Sequence, residues 1–117
     1  MKKLLLFLLL IPNLVMGQSK IGQDMSLISF INHKNDERVL TQIDTIGSTI
    51  GWANSFLEAN GKKPIYCNPP NITLNGYNYV NFLEEFLAKR PEFVSNASKI
   101  TLIMAVIFAL EDKFPCN

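Results

Sequence analysis

The chain has 117 residues, enough for one domain and too few for two, and 48% of them are hydrophobic. Eleven basic side chains stand against ten acidic ones, a formal net charge of +1. With no basic stripe interleaved with aromatics, that balance excludes nucleic acid as a partner.

The first 17 residues read as an export signal. Lys2 and Lys3 precede the apolar run Leu4 to Ile11, and Val15-Met16-Gly17 offers the residues a signal peptidase reads. The run is well short of the ~20 residues that cross a bilayer, and no cysteine follows it to carry a lipid. Cleavage after Gly17 is expected, with a periplasmic chain starting at Gln18; the alternative is an uncleaved membrane anchor. Loss of Lys2 and Lys3 leaves nine basic residues (11 − 2) against ten acidic ones, a net charge of −1.

In an oxidising compartment the only two cysteines, Cys67 and Cys116, are expected to form a structural disulfide. Closing a loop of this length stabilises the fold by about 4 kcal/mol in the chain-entropy model.

The periodicity predicts an all-α domain of approximately four helices. Residues 18–23 form a frayed start, and Asp24 caps a short helix with the stripe Leu27, Ile28, Ile31, ending near His33. Asn35 or Asp36 caps a longer helix to about Asn60, with Gly61 as terminator. Its apolar stripe is Val39, Ile43, Ile46, Ile50 and Leu57, opposite Thr41, Thr45 and Ser48. Gly47, Gly51 and Ser55 form a strip of small residues on which another backbone can pack. Trp52 and Phe56, one turn apart, are expected in the core, the alternative being an exposed ridge for a partner.

The stretch from Gly61 to Ile72 is a loop with a basic tip, Lys62-Lys63-Pro64, and a proline-rich arm, Asn68-Pro69-Pro70-Asn71. Thr73 is expected to cap a third helix ending at Lys89 before Pro91. Val80, Leu83 and Leu87 face the core, flanked by Tyr79, Phe82 and Phe86, and Asn78, Asn81, Glu85 and Lys89 face water. Pro91 to Val94 reads as a loop, in which Phe93 is either presented to a partner or folded back on the core. Ser95 or Asn96 then caps a fourth helix to Lys113. Its unbroken apolar run Leu102 to Leu110 predicts a central, buried helix, with a buried strand as the competing reading. The glycosylation patterns Asn71-Ile72-Thr73 and Asn96-Ala97-Ser98 coincide with expected helix starts and are read as caps.

The inventory of reactive groups is poor. His33 is the single histidine, the cysteines are expected to be bridged, and there is no Gly-x-Ser-x-Gly elbow or phosphate-binding glycine loop. Glu84-Glu85 and Glu111-Asp112 are adjacent pairs that point apart. We therefore expect no enzyme, no metal and no cofactor.

From about Ile50 onward the motifs form a series. Gly51-Trp52 is followed by Tyr66-Cys67-Asn68-Pro69, Ile72-Thr73, Arg90-Pro91-Glu92 and Phe114-Pro115-Cys116. This order and spacing resembles the Rap/Tai-type immunity proteins of type VI secretion, with Arg90 where the family carries histidine. The resemblance implies a small helical periplasmic domain that binds a peptidoglycan amidase effector and occludes its active site, as a monomer or a homodimer. An occluding plug needs a preorganised protrusion. Lys62, Lys63 and Pro64 beside the bridge, and Glu92 and Phe93 after the third helix, are the expected partner-binding residues. The alternatives are a periplasmic acid-stress chaperone of the small helical one-disulfide kind, or an adaptor with another protein partner.

Overall fold

The computed structural model describes residues 25–70 and 72–117. These residues form five helices: α1 (Leu27–His33), α2 (Glu37–Ala59), α3 (Gly76–Lys89), α4 (Pro91–Ser95) and α5 (Leu102–Lys113). Among the described residues the only β pairing is one isolated bridge, Ser26 to Thr101, and the fold is all-α, closed by the Cys67–Cys116 disulfide. The export signal, its cleavage after Gly17, the frayed start, the Asp24 cap and Asn71 lie outside the described residues. No helix among those described is long and apolar enough to cross a membrane.

A helix leaves its first N–H groups without internal partners, and each start solves this differently. The side chain of Ser26, before α1, makes no cap hydrogen bond. Instead the Leu27 N–H donates to the Ile100 carbonyl at 2.8 Å and the Ile28 N–H to that of Ala97 at 3.1 Å. The Leu102 N–H returns the exchange to the Met25 carbonyl at 2.9 Å, so the starts of α1 and α5 are stitched together. Asp36 caps α2 by accepting from the Arg38 N–H at 2.9 Å, and hydrogen bonds from the Arg38 side chain and N–H hold its carboxyl below the usual range. At the other end Gly61, at φ +67°, occupies a left-handed position that favours glycine. The Lys62 N–H reaches the Leu57 carbonyl and the Gly61 N–H that of Glu58, a Schellman closure.

Two expected caps are displaced. α3 starts not at Thr73 but after Asn75, whose side chain accepts from the Asn78 N–H at 3.1 Å while Asn78 accepts from the Asn75 N–H at 2.9 Å. This capping box uses asparagine at both positions, where the usual pattern has Glu or Gln at the second. Pro91 ends α3 and, with its φ preset and no N–H to satisfy, opens α4, so Pro91 to Ser95 is a helical turn and not a loop. Asn96 therefore caps the C-terminus of α4, donating from Nδ2 to the Glu92 carbonyl at 2.8 Å. α5 begins only after Thr101, which accepts from the Met104 N–H. Neither Thr73 nor Asn96 is the helix N-cap it was expected to be.

α3 packs against both α2 and α5 and is the central helix. It buries Tyr79, Leu83, Phe86 and Leu87, α2 contributes Val39, Ile43 and Ile50, and α1 adds Leu27 and Phe30. α5 is not central. It buries Leu102, Ala105, Val106, Ala109 and Leu110, but Ile103, Met104 and Phe108 face outward. Its position at one side of the three-helix stack leaves an apolar flank uncovered. On α2, Ile46 and Leu57 are only half-buried, and the stripe is completed by a buried polar residue, Asn54. Lys89–Asp112 (3.0 Å) and Lys113–Glu85 (3.1 Å) tie α3 to α5 at the surface, and Lys34–Glu84 (3.5 Å) ties α1 to α3. Exposed pairs of this kind contribute under about 1 kcal/mol each.

The small-residue strip on α2 serves side chains rather than a second backbone. A Cβ at Gly47 would stand 2.2 Å from the Tyr79 ring, and that ring is too well buried to move aside. Gly47→Ala is therefore expected to destabilise, despite the helix-propensity gain of up to ~1 kcal/mol. Overpacking costs about 1–3 kcal/mol. Thermal unfolding should register a fall in Tm of roughly 5 °C, and an unchanged or raised Tm would show that Tyr79 can swing away.

Candidate functional site

The expected partner-binding residues fall into two separate places. Lys62 and Lys63 are exposed and Pro64 is half-buried just past the end of α2. Lys63 and Pro64 share a shallow depression with Ile65, Glu111, Pro115 and Cys116. The disulfide beneath spans 5.0 Å between Cα atoms, and the Cys67 N–H donates to the Phe114 carbonyl at 2.9 Å. The basic tip is thus anchored from below. Glu92 is exposed in the first turn of α4, with its carboxylate 3.9 Å from Arg90. Phe93 folds back: its ring meets Phe86 edge-on at 4.9 Å and Phe108 at 5.5 Å. It packs within an aromatic cluster on the core and is not the presented aromatic of a loop.

The presented aromatics are Trp52 and Phe56. Trp52 is 79% exposed and Phe56 69%, which overturns their expected burial. The physical reason is the position of α3, which packs along the Ile43, Gly47, Ile50 side of α2 and leaves the Trp52, Phe56 side facing water. Periodicity placed both residues one turn apart. It did not reveal which of two apolar faces would find a neighbour.

Beside Trp52 lies a cleft of about 740 Å³, between the C-terminal half of α2 and the arm that leads from Tyr66 to Leu74. Gly51, Ser55 and Glu58 form one wall, Pro69 and Pro70 the other, and Tyr66 and Tyr79 lie at its base. The arm is held to α2 by Asn54, itself only 3% exposed. Its Oδ1 accepts from the Ile65 N–H at 2.5 Å and the Tyr66 N–H at 3.2 Å, and its Nδ2 donates to the Tyr66 carbonyl at 2.8 Å. One amide thus satisfies three backbone groups. Tyr66 then packs on Phe114 at 6.2 Å, and Phe114 on Phe82 at 5.4 Å, so the cleft floor continues into the core.

Burial pushes the Tyr66 hydroxyl above its usual range, and the Glu58 carboxylate adds to the effect. Burial does the same at Tyr79, with smaller contributions from Tyr66 and Asp44. Both hydroxyls therefore stay protonated at neutral pH and above. His33 stands in the last turn of α1 and is exposed. Among the described residues no group of three or more His, Cys, Asp or Glu is arranged to hold a metal ion.

Comparison with protein-family models, with curated proteins and with solved structures gives no match for this chain.

Proposed function

We propose that this protein is a non-catalytic binding domain, and that it acts in the periplasm as an immunity protein which occludes a type VI secretion peptidoglycan amidase. The observation that carries the binding reading is the Trp52–Phe56 ridge. Two large aromatics held one turn apart on a 23-residue helix, with Ile72 also exposed nearby on the cleft wall, form an apolar patch of the kind that marks protein interfaces. Trp and Tyr anchors in such patches dominate binding energy. The basic tip Lys62-Lys63 follows directly where α2 ends, and the chain beyond it is fixed to α2 by Asn54 and to the end of α5 by the disulfide. Such preorganisation reduces the ordering cost of association. The finer assignment, to an amidase inhibitor, rests on the series from Gly51-Trp52 to Phe114-Pro115-Cys116.

The test uses the purified protein and the exported amidase encoded beside its gene. Stoichiometric inhibition is expected. Trp52→Ala with Phe56→Ala should weaken binding by about 2 kcal/mol or more, roughly thirtyfold. Because both side chains are exposed, unfolding stability should stay within about 0.5 kcal/mol of the parent. Phe93→Ala should do the reverse, lowering stability through its lost contacts with Phe86 and Phe108. If the parent protein neither binds nor inhibits the amidase, the immunity reading fails. Loss of near-UV dichroism together with capture of unfolded clients at about pH 2–3 would replace it with the acid-stress chaperone.

A further inference from the structure

The cleft beside Trp52 carries chemistry that an apolar ridge alone does not need. Tyr66 is 2% and Tyr79 5% exposed, yet neither hydroxyl has a hydrogen-bond partner among the described residues. A buried tyrosine normally finds a partner for its O–H, and leaving one unpaired costs on the order of 1–3 kcal/mol. The Tyr66 hydroxyl lies at the cleft wall, 3.5 Å from where a Gly51 Cβ would stand. A donor or acceptor entering the cleft on the Gly51 side is within reach of that hydroxyl.

The charge of the cleft selects what that partner is. Among the described residues, Glu58 is, apart from the two tyrosines, the one ionisable residue that lines it, and no lysine, arginine or histidine does. An anion entering would meet Glu58 uncompensated, whereas a cation would be neutralised. The size of the cleft is that of a ligand site, larger than one side chain needs. Trp52, Pro69, Pro70 and Ile72 also line it, and proline- and aromatic-lined grooves of this kind suit extended polypeptide. A small cation would leave the exposed Trp52 and Ile72 bare; a polypeptide covers them as it fills the cleft.

We propose that this cleft receives a segment of a partner protein bearing a lysine or arginine, whose head group lodges between the Tyr66 hydroxyl and Glu58 beneath the Trp52 ring. The phenol oxygen accepts from the cationic N–H, the Glu58 carboxylate neutralises it, and the indole face adds a cation–π contact. The inference deepens the binding-protein reading and rests on it, naming what the partner must present.

Trp52 is the only tryptophan in the chain, so its emission reports on the cleft directly. The protein is titrated with two capped tripeptides, acetyl-Gly-Arg-Gly-amide and acetyl-Gly-Glu-Gly-amide. The arginine peptide should give a saturable change in Trp52 emission, and the glutamate peptide should bind about tenfold more weakly or not at all. Glu58→Gln should weaken the arginine peptide by about two- to fivefold, as expected for a partly exposed charge pair. Gly51→Leu, which fills the cleft from an α2 position with room for a side chain, should abolish the response while the helical dichroism is kept. Tyr66→Phe removes only the hydroxyl. It should weaken the arginine peptide about fivefold yet leave the free protein as stable as the parent or more so. Equal responses to both peptides, no response, or a response that persists in Gly51→Leu would overturn the proposal, as would clear destabilisation by Tyr66→Phe. Amidase inhibition is scored in parallel. Inhibition that survives Gly51→Leu removes the cleft from the interface and leaves the immunity reading standing. Absence of inhibition by the parent protein removes the immunity reading, and the peptide titration still decides the cleft.

Discussion

Replacing Cys67 and Cys116 with serine lowers the unfolding free energy by about 4 kcal/mol, the largest effect expected of any change in this chain. The two cysteines are 49 residues apart, so the bridge removes the freedom of a loop of that length from the unfolded ensemble. For a domain of about 100 residues this corresponds to a fall in Tm of roughly 15–25 °C. The structure adds a local reason for the size of the effect. The bridge holds the start of the arm against the end of α5, alongside the Cys67 N–H to Phe114 carbonyl hydrogen bond and the Tyr66–Phe114 contact. Without it, α5 keeps its apolar face against α3 but loses its C-terminal anchor. Thermal melts with and without reductant measure this, and a shift of only a few degrees would show that packing alone fixes the arm.

Asn54→Ala costs about 2–4 kcal/mol, more than any other single polar substitution expected here. The asparagine is buried, and its removal leaves the N–H groups of Ile65 and Tyr66 and the Tyr66 carbonyl without partners at once. Buried backbone groups stripped of partners lose most of an interaction they had exchanged for water. Hydrogen exchange should show the Ile65 and Tyr66 amides losing protection first. Ser55→Ala, one residue on and exposed, should stay within about 0.5 kcal/mol of the parent. The asparagine and the disulfide act on the same three-residue segment, so their effects should not add. Additive losses would mean that the segment is held independently at its two sides.

These expectations divide according to where their information lies. The disulfide followed from composition and the expected compartment, since a chain with two cysteines has one possible pairing. The bounds of α2 were legible because Asp36 and Gly61 each act locally, one through its carboxylate and the other through its positive φ. The start of α3 was not. Its box is made of two asparagines, and Thr73 was the more familiar capping residue nearby. The start of α5 was also missed: its first N–H is satisfied by Met25, a partner about 75 residues away that no local pattern displays.

The candidate site divides in the same way. Trp52 and Phe56 were visible as a pair, and Gly47, Gly51 and Ser55 as a strip of small residues. Their surroundings depended on where α3 comes to rest. Tyr79 of α3 fills the space over Gly47, which leaves Gly51 and Ser55 as the wall of an open cleft. Asn54 gave no signal, because a lone asparagine in a helix reads as solvated until a chain segment folds over it.

By itself, the sequence determined that the domain is helical, bridged and limited in reactive side chains, because helix periodicity, caps and cysteine pairing are properties of near neighbours or of counts. Only the tertiary structure decided which apolar face of each helix is covered. That choice turned Phe93 inward, Trp52 and Phe56 outward, and placed the two buried tyrosines, Tyr66 and Tyr79, along a cleft. A helix with two apolar faces carries no instruction about which will find a neighbour; helix packing makes that choice.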